Sequence, residues 1–212
     1  MLPKDQQTDA IATLGTVHHG FTQALLRLMD GFYSNIEDGL FELAYRTENE
    51  EQRRRCFDLM RELRFRRNSL VQSFARVMDR YQDRWFQEPA QRAPAESEMD
   101  PLERLVMRMA EKSTAHFGGV LQQVNERAGQ VSGNAFSNVR DLPISPTQVS
   151  RAFVVSCRSL KLDTDSIEII QELFSRFVLD GLGLLYGECN QYLQDKGCLT
   201  ELESERLATR RA

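Results

Sequence analysis

Residues 20–45 read GFTQALLRLMDGFYSNIEDGLFELAY. Apolar side chains recur there at Phe21, Leu25, Leu28, Phe32, Ile36, Leu40 and Leu43, in steps of three and four that stack on one face of an α-helix. A polar break at Thr47 to Glu50 follows. Beyond it a longer helix to about Trp85 carries Cys56, Leu63, Leu70 and Val77 at one seam position and Met60, Arg67, Phe74 and Tyr81 at the other. Two such helices joined by so short a connector must pack antiparallel, because the tight turn leaves their apolar stripes only each other to cover. Residues 1–86 therefore predict a helical hairpin lobe.

Outward from the hairpin, residues 87–98 hold Pro89 and Pro94 among Ala, Gln and Glu and read as a linker. Asp100-Pro101-Leu102-Glu103 then spells a helix start, with a capping Asp, Pro at the first helical position and Glu three residues after the cap. Helical spacing continues through Leu102, Leu105, Val106 and Met109 to Val120, Leu121 and Val124, with Gly118-Gly119 expected to bend or interrupt it. Gly, Ser and Asn between Gly129 and Ile144 predict a long loop, either mobile or functional. Ser145-Pro146-Thr147-Gln148 is a capping box that opens a helix to about Leu160. Asp163, Thr164 and Asp165 start another, whose buried face (Ile167, Ile170, Phe174, Phe177, Val178, Leu185, Cys189, Tyr192) runs to Lys196-Gly197 and marks the central helix of a second lobe. The reading is all-α: an antiparallel helical hairpin packed with a multi-helix lobe over 99–200, and a charged tail over 201–212. No strand-like alternation and no internal repeat interrupts it.

With 212 residues and 41% apolar composition the chain can bury a sizeable core. A net charge of -4 argues against a protein that coats nucleic acid with its whole surface. Cys56, Cys157, Cys189 and Cys198 lie far apart, without the spacing of a zinc site, which fits a reduced compartment. The polar start Met1 to Gln7 lacks the apolar core of a secretory signal, and the most apolar run, Phe177 to Tyr186, is far short of the roughly 20 residues that cross a bilayer. A cytoplasmic protein with no membrane partner is the expectation.

Leu40-Phe41-Glu42-Leu43-Ala44 followed by Phe57-Asp58-Leu59-Met60-Arg61-Glu62-Leu63-Arg64 forms one block of the chain. Ile144-Ser145-Pro146, Leu173 to Leu179 and Leu182-Gly183-Leu184-Leu185-Tyr186 form a second. In their order and spacing the two blocks resemble the amino-terminal part of a long bacterial family of unknown function, some of whose members are labelled thymidine phosphorylase. The resemblance covers roughly residues 25 to 200 and implies a helical fold. It implies no activity and no functional residue, and the chain holds no Gly-rich phosphate loop to support that label.

Ten arginines, no lysine and four acids lie between Arg53 and Arg84, a net +6. Guanidinium groups bind phosphate and carboxylate bidentately, so Arg53, Arg54, Arg61 and Arg64, with Trp85 and Phe86 at the helix end, are the candidate surface for a partner or an anion. The competing reading has the same arginines answering acids on the facing arm, among them Asp30, Glu37, Asp38, Glu42, Glu50 and Glu51. Folding the hairpin about Glu48 brings Asp30 level with Arg67, predicting a partly buried structural pair of Asp30 with Arg67 or Arg66, which fixes register. Gly183 and Gly187, flanked by Gly181, predict a helix crossing closely over missing side chains.

His18, His19 and His116 make no metal site, since neighbouring histidines on a helix diverge by about 100 degrees. Asp163 and Asp165 read as helix caps, because a calcium loop needs a Gly and a closing Glu that are absent. No catalytic set and no cofactor site is legible. Three functions follow: a non-enzymatic regulatory or scaffold module that contacts another protein or its own copy; a nucleic-acid or anion binder using the Arg-rich helix; and an enzyme with a site between the lobes near Gly129 to Ile144.

Overall fold

The structure, a computed structural model, describes residues 4–87, 101–133 and 135–198. It is all-α. The hairpin consists of α1 (Lys4–Arg46) and α2 (Glu50–Arg80), and α2 is followed by a turn of 3-10 helix at Gln82–Phe86. The remaining helices are α3 (Pro101–His116), α4 (Gly118–Ser132), α5 (Pro146–Cys157), α6 (Thr164–Phe177) and α7 (Leu182–Asp195). Residues 88–98 of the expected linker and the 201–212 tail lie outside the described residues.

The hairpin turn closes on its own polar groups. Asn49 caps α2, its side-chain oxygen accepting from the Glu51 and Gln52 amides at 2.9 and 3.3 Å. Arg53 reaches back from the first turn of α2 and donates to the Ala44 and Thr47 carbonyls at 3.2 and 2.9 Å. Those carbonyls belong to the end of α1, which would otherwise leave them without partners. From this turn the arms run antiparallel, with Leu25, Phe32, Ile36 and Leu40 of α1 and Leu63, Leu70 and Phe74 of α2 fully enclosed.

α1 starts well before Gly20, because Ala10, Leu14 and Val17 continue the same buried face. That extra length also touches the other helices: α1 packs on α4, α6 and α7 as well as on α2, while α2 packs on α5. One contiguous core results, to which every helix of the structure contributes. At its centre Phe32 meets Phe153 and Phe174 edge-on, at 5.8 Å each, and those two rings stack at 3.8 Å.

Three expectations are corrected by this arrangement. The helix read from Asp163 to Lys196 is two, α6 and α7, separated by a 3-10 turn at Leu179–Gly181 where the Leu28 side chain packs 3.3 Å from the space a Gly181 Cβ would take. The enclosed helix is instead α5, buried along almost its whole length between α2 and α3. The segment after Gly129 is not a long open loop either. α4 runs on to Ser132, where Gly133 ends it in the left-handed conformation. Leu142 and Ile144 are then fully buried, and the Asn125 side chain clamps Phe136 through both its amide and its carbonyl. The break at Gly118-Gly119 falls one residue earlier, at Phe117, between α3 and α4.

Candidate functional site

Among the described residues, six of the ten arginines between Arg53 and Arg84 hold a carboxylate. Arg53 pairs with Glu50, Arg61 with Asp58 and Arg66 with Glu62 along α2 itself. Three cross to a neighbouring helix. Arg64 meets Glu37 at 2.7 Å, Arg67 meets Asp30 at 3.2 Å, and Arg55 spans Glu51, Asp163 and Asp165. Arg84 donates to Gln148 at 2.8 Å and lies 4.3 Å from the Tyr81 ring centre. Exposed Arg54 and Arg76 have no side-chain partner among the described residues. The cationic helix is therefore largely neutralised where it stands.

The Asp30–Arg67 contact sits at the surface, since the Asp30 side chain is 68% exposed, so the penalty expected of a buried pair does not apply. Arg66 is engaged by Glu62 instead. The two glycines of the GxxxG behave differently. A Cβ at Gly183 would lie 2.8 Å from the Phe117 ring, whereas one at Gly187 would meet nothing within 4 Å. The close neighbour of Gly183 is the ring of Phe117, the residue that caps α4, and α4 is one of the helices packed on α7.

Trp85 cannot belong to a contact surface as expected, because it is only 2% exposed. The 3-10 turn folds it under α1, where its indole N–H donates to His18 Nδ1 at 3.3 Å and its ring meets Phe136 edge-on. His18 Nε2 lies 2.7 Å from the Met78 carbonyl, so that nitrogen carries the proton and Nδ1 accepts. Burial pushes the His18 pKa down, against the Met78 hydrogen bond and the charges of Asp79 and Asp83 that favour the proton. Phe86 is exposed, but it lies beyond the end of α2, on the 3-10 turn, whereas Arg53, Arg54, Arg61 and Arg64 lie in the half of α2 nearer the hairpin turn. The expected set of arginines and aromatics therefore does not form one site.

The residues that sequence reasoning missed are aromatic. Of the large apolar side chains left exposed, Phe41, Tyr45, Phe57 and Phe65 all lie in the distal half of the hairpin, with Tyr45 84% and Phe65 86% exposed. Side chains four apart stack along a helix, so Phe41 and Tyr45 follow Glu37 towards the hairpin tip while Arg61 and Phe57 follow Arg64. The Glu37–Arg64 pair ties these two stripes to one face, while Phe65, one residue on from Arg64, projects about 100 degrees further round α2. The guanidinium holds the Glu37 carboxyl below its usual range, and the carboxylate raises Arg64 in return. What results is an apolar strip flanked by ion pairs. The signal was legible as Phe41, Tyr45, Phe57 and Phe65 falling off the seam positions.

Chemistry at cysteine is poorly provided for. Burial pushes the Cys157 and Cys189 thiols up to about 12 each, so little thiolate forms near neutral pH. No group of three or more His, Cys, Asp or Glu side chains is placed to share an ion among the described residues. No described helix is long and apolar enough to cross a membrane.

A family model described as "Protein of unknown function (DUF1631) N-terminal domain" matches residues 9–197. No curated protein and no solved structure matches the chain.

Proposed function

This chain belongs to the family of DUF1631 N-terminal domains, and from that premise we propose that it is a non-enzymatic helical scaffold or regulatory module. It engages another protein, or a second copy of itself, through the distal face of its hairpin. The observation that carries the reading is the concentration of Phe41, Tyr45, Phe57 and Phe65 on that part of the surface. Soluble proteins seldom leave several large aromatics exposed together unless something covers them, and aromatic and Arg side chains are enriched in interface cores. Arg54 and the Glu37–Arg64 pair supply the polar surround.

The anion-binding alternative draws less support. A phosphate-binding helix needs cations that are free to release counterions, and here most of the arginines already hold carboxylates.

The reading is tested by comparing wild type with Phe57→Ser/Phe65→Ser, both confirmed folded by circular dichroism, in sedimentation velocity and in affinity capture from a lysate of the source cells. It predicts a self-association, or a reproducible protein partner, that the double variant loses. Equal sedimentation and an identical captured set for both proteins would refute it. Capture of nucleic acid that vanishes with added salt would replace it by the anion-binding alternative.

A further inference from the structure

Away from the hairpin tip, α3, α5 and α6 line a cavity of about 200 Å³ that opens to the surface. Its walls are apolar: Leu102 and Met109 from α3, Phe153 and Val154 from α5, Ile167 and Ile170 from α6. The exposed members of the lining are Arg158 and Lys161, on the turn that joins α5 to α6. Neither side chain has a hydrogen-bond or ion-pair partner among the described residues, and no carboxylate lines the cavity. That sets them apart in a chain whose other interhelical cations mostly face acids. Lys161 is also the single described non-glycine residue at positive φ, at 49°.

Cations beyond a helix C-terminus are favoured by the helix dipole, which accounts for the sign of Arg158 and Lys161. It does not account for the apolar walls of the pocket beneath them. An apolar cavity of about 150 Å³ accepts a benzene-sized guest, which sets the scale of the occupant.

We propose that this cavity binds a small amphipathic monocarboxylate, its apolar body among the α3, α5 and α6 side chains and its carboxylate between Arg158 and Lys161. The class follows from the lining. The walls offer almost no polar partner to a sugar or nucleotide, and a neutral hydrocarbon would leave the two cations without a role. Gln171 adds an amide at the wall, and the buried Cys157 thiol stays protonated and brings no competing negative charge.

The probe is octanoate, with octan-1-ol as its neutral counterpart, titrated into the whole chain and followed through methyl NMR signals and calorimetry. Octanoate is expected to shift the methyls of Met109, Val154, Ile167 and Ile170. Arg158→Gln/Lys161→Gln, at exposed positions, should weaken octanoate about tenfold or more and leave octan-1-ol unchanged, since each tenfold corresponds to about 1.4 kcal/mol of charge-assisted contact. Ile167→Trp, which fills the chamber from a half-buried wall position, should abolish both. Absent shifts with millimolar octanoate, shifts elsewhere on the protein, or undiminished octanoate affinity in the double variant would overturn the proposal. So would nuclear Overhauser contacts, without ligand, from the cavity methyls to a distant segment of the same chain, which would make the chain itself the occupant.

Discussion

His18 shows how much one buried polar side chain can carry. It accepts from Trp85, donates to Met78, and is held neutral by its burial. In the unfolded chain the same imidazole takes up a proton near its ordinary value of 6.5. Below that pH the unfolded state binds more protons than the folded one, so stability falls as the pH drops. The urea midpoint, followed by Trp85 fluorescence, is predicted to be flat above pH 7 and to decline as the pH falls below about 6.5. His18→Gln keeps a donor and an acceptor but no proton to gain, and should flatten that decline; an unchanged profile in this variant would contradict the assignment. Asp30 makes the opposite point. Its contact with Arg67 is exposed, so Asp30→Asn should cost under about 1 kcal/mol in thermal unfolding, where a buried pair would lose about 3–5. Sequence spacing placed these two residues level with each other. It could not tell that the Asp30 side chain points to solvent, because exposure depends on what α1 meets from the other helices.

At the scale of the element, the two glycines of α7 provide a matched pair. Gly183→Ala drives a methyl into the Phe117 ring, which is itself held against Tyr186 at 5.7 Å, and is predicted to destabilise by about 1–3 kcal/mol. Gly187→Ala enters open space in a helix and should stabilise by about 0.5–1 kcal/mol. Chemical denaturation of both variants checks this, and effects of the same sign and size would contradict the packing described. The helices themselves were readable because each stripe of apolar residues repeats with the helical period and the starts at Ser145 and Asp163 carry their own caps. Ser145 accepts from the Gln148 amide at 3.3 Å, and Asp163 from Ser166 at 2.9 Å. The break between α6 and α7 was masked, because the apolar face continues unbroken from Phe177 to Leu185. Its one local sign was Asp180-Gly181 inside that run. Trp85 was misplaced for a related reason: the chain leaves the α2 axis after Tyr81, and periodicity carried past that point assigns the wrong face.

For the whole molecule, the arginines show where sequence reading stops. That acids on the facing arm would answer them could be argued from the hairpin alone. The pairing of Arg55 with Asp163 and Asp165 requires the hairpin to dock on α6. The same docking gives the hairpin and the later helices one shared core, so far-UV circular dichroism and Trp85 fluorescence should report a single coincident unfolding transition. Two separated transitions would mean that the hairpin unfolds as its own unit. Docking also leaves the distal aromatic face without a cover among the described residues, and the account of function rests on that face. Its most direct test places a photo-crosslinking amino acid at position 65, or as a control at position 184, where Leu184 on α7 is likewise a highly exposed apolar side chain. With the protein irradiated in its source cells, the account predicts discrete cross-linked protein adducts from position 65 and none of comparable yield from position 184. Adducts that are absent from both sites, or equal at both, would contradict it.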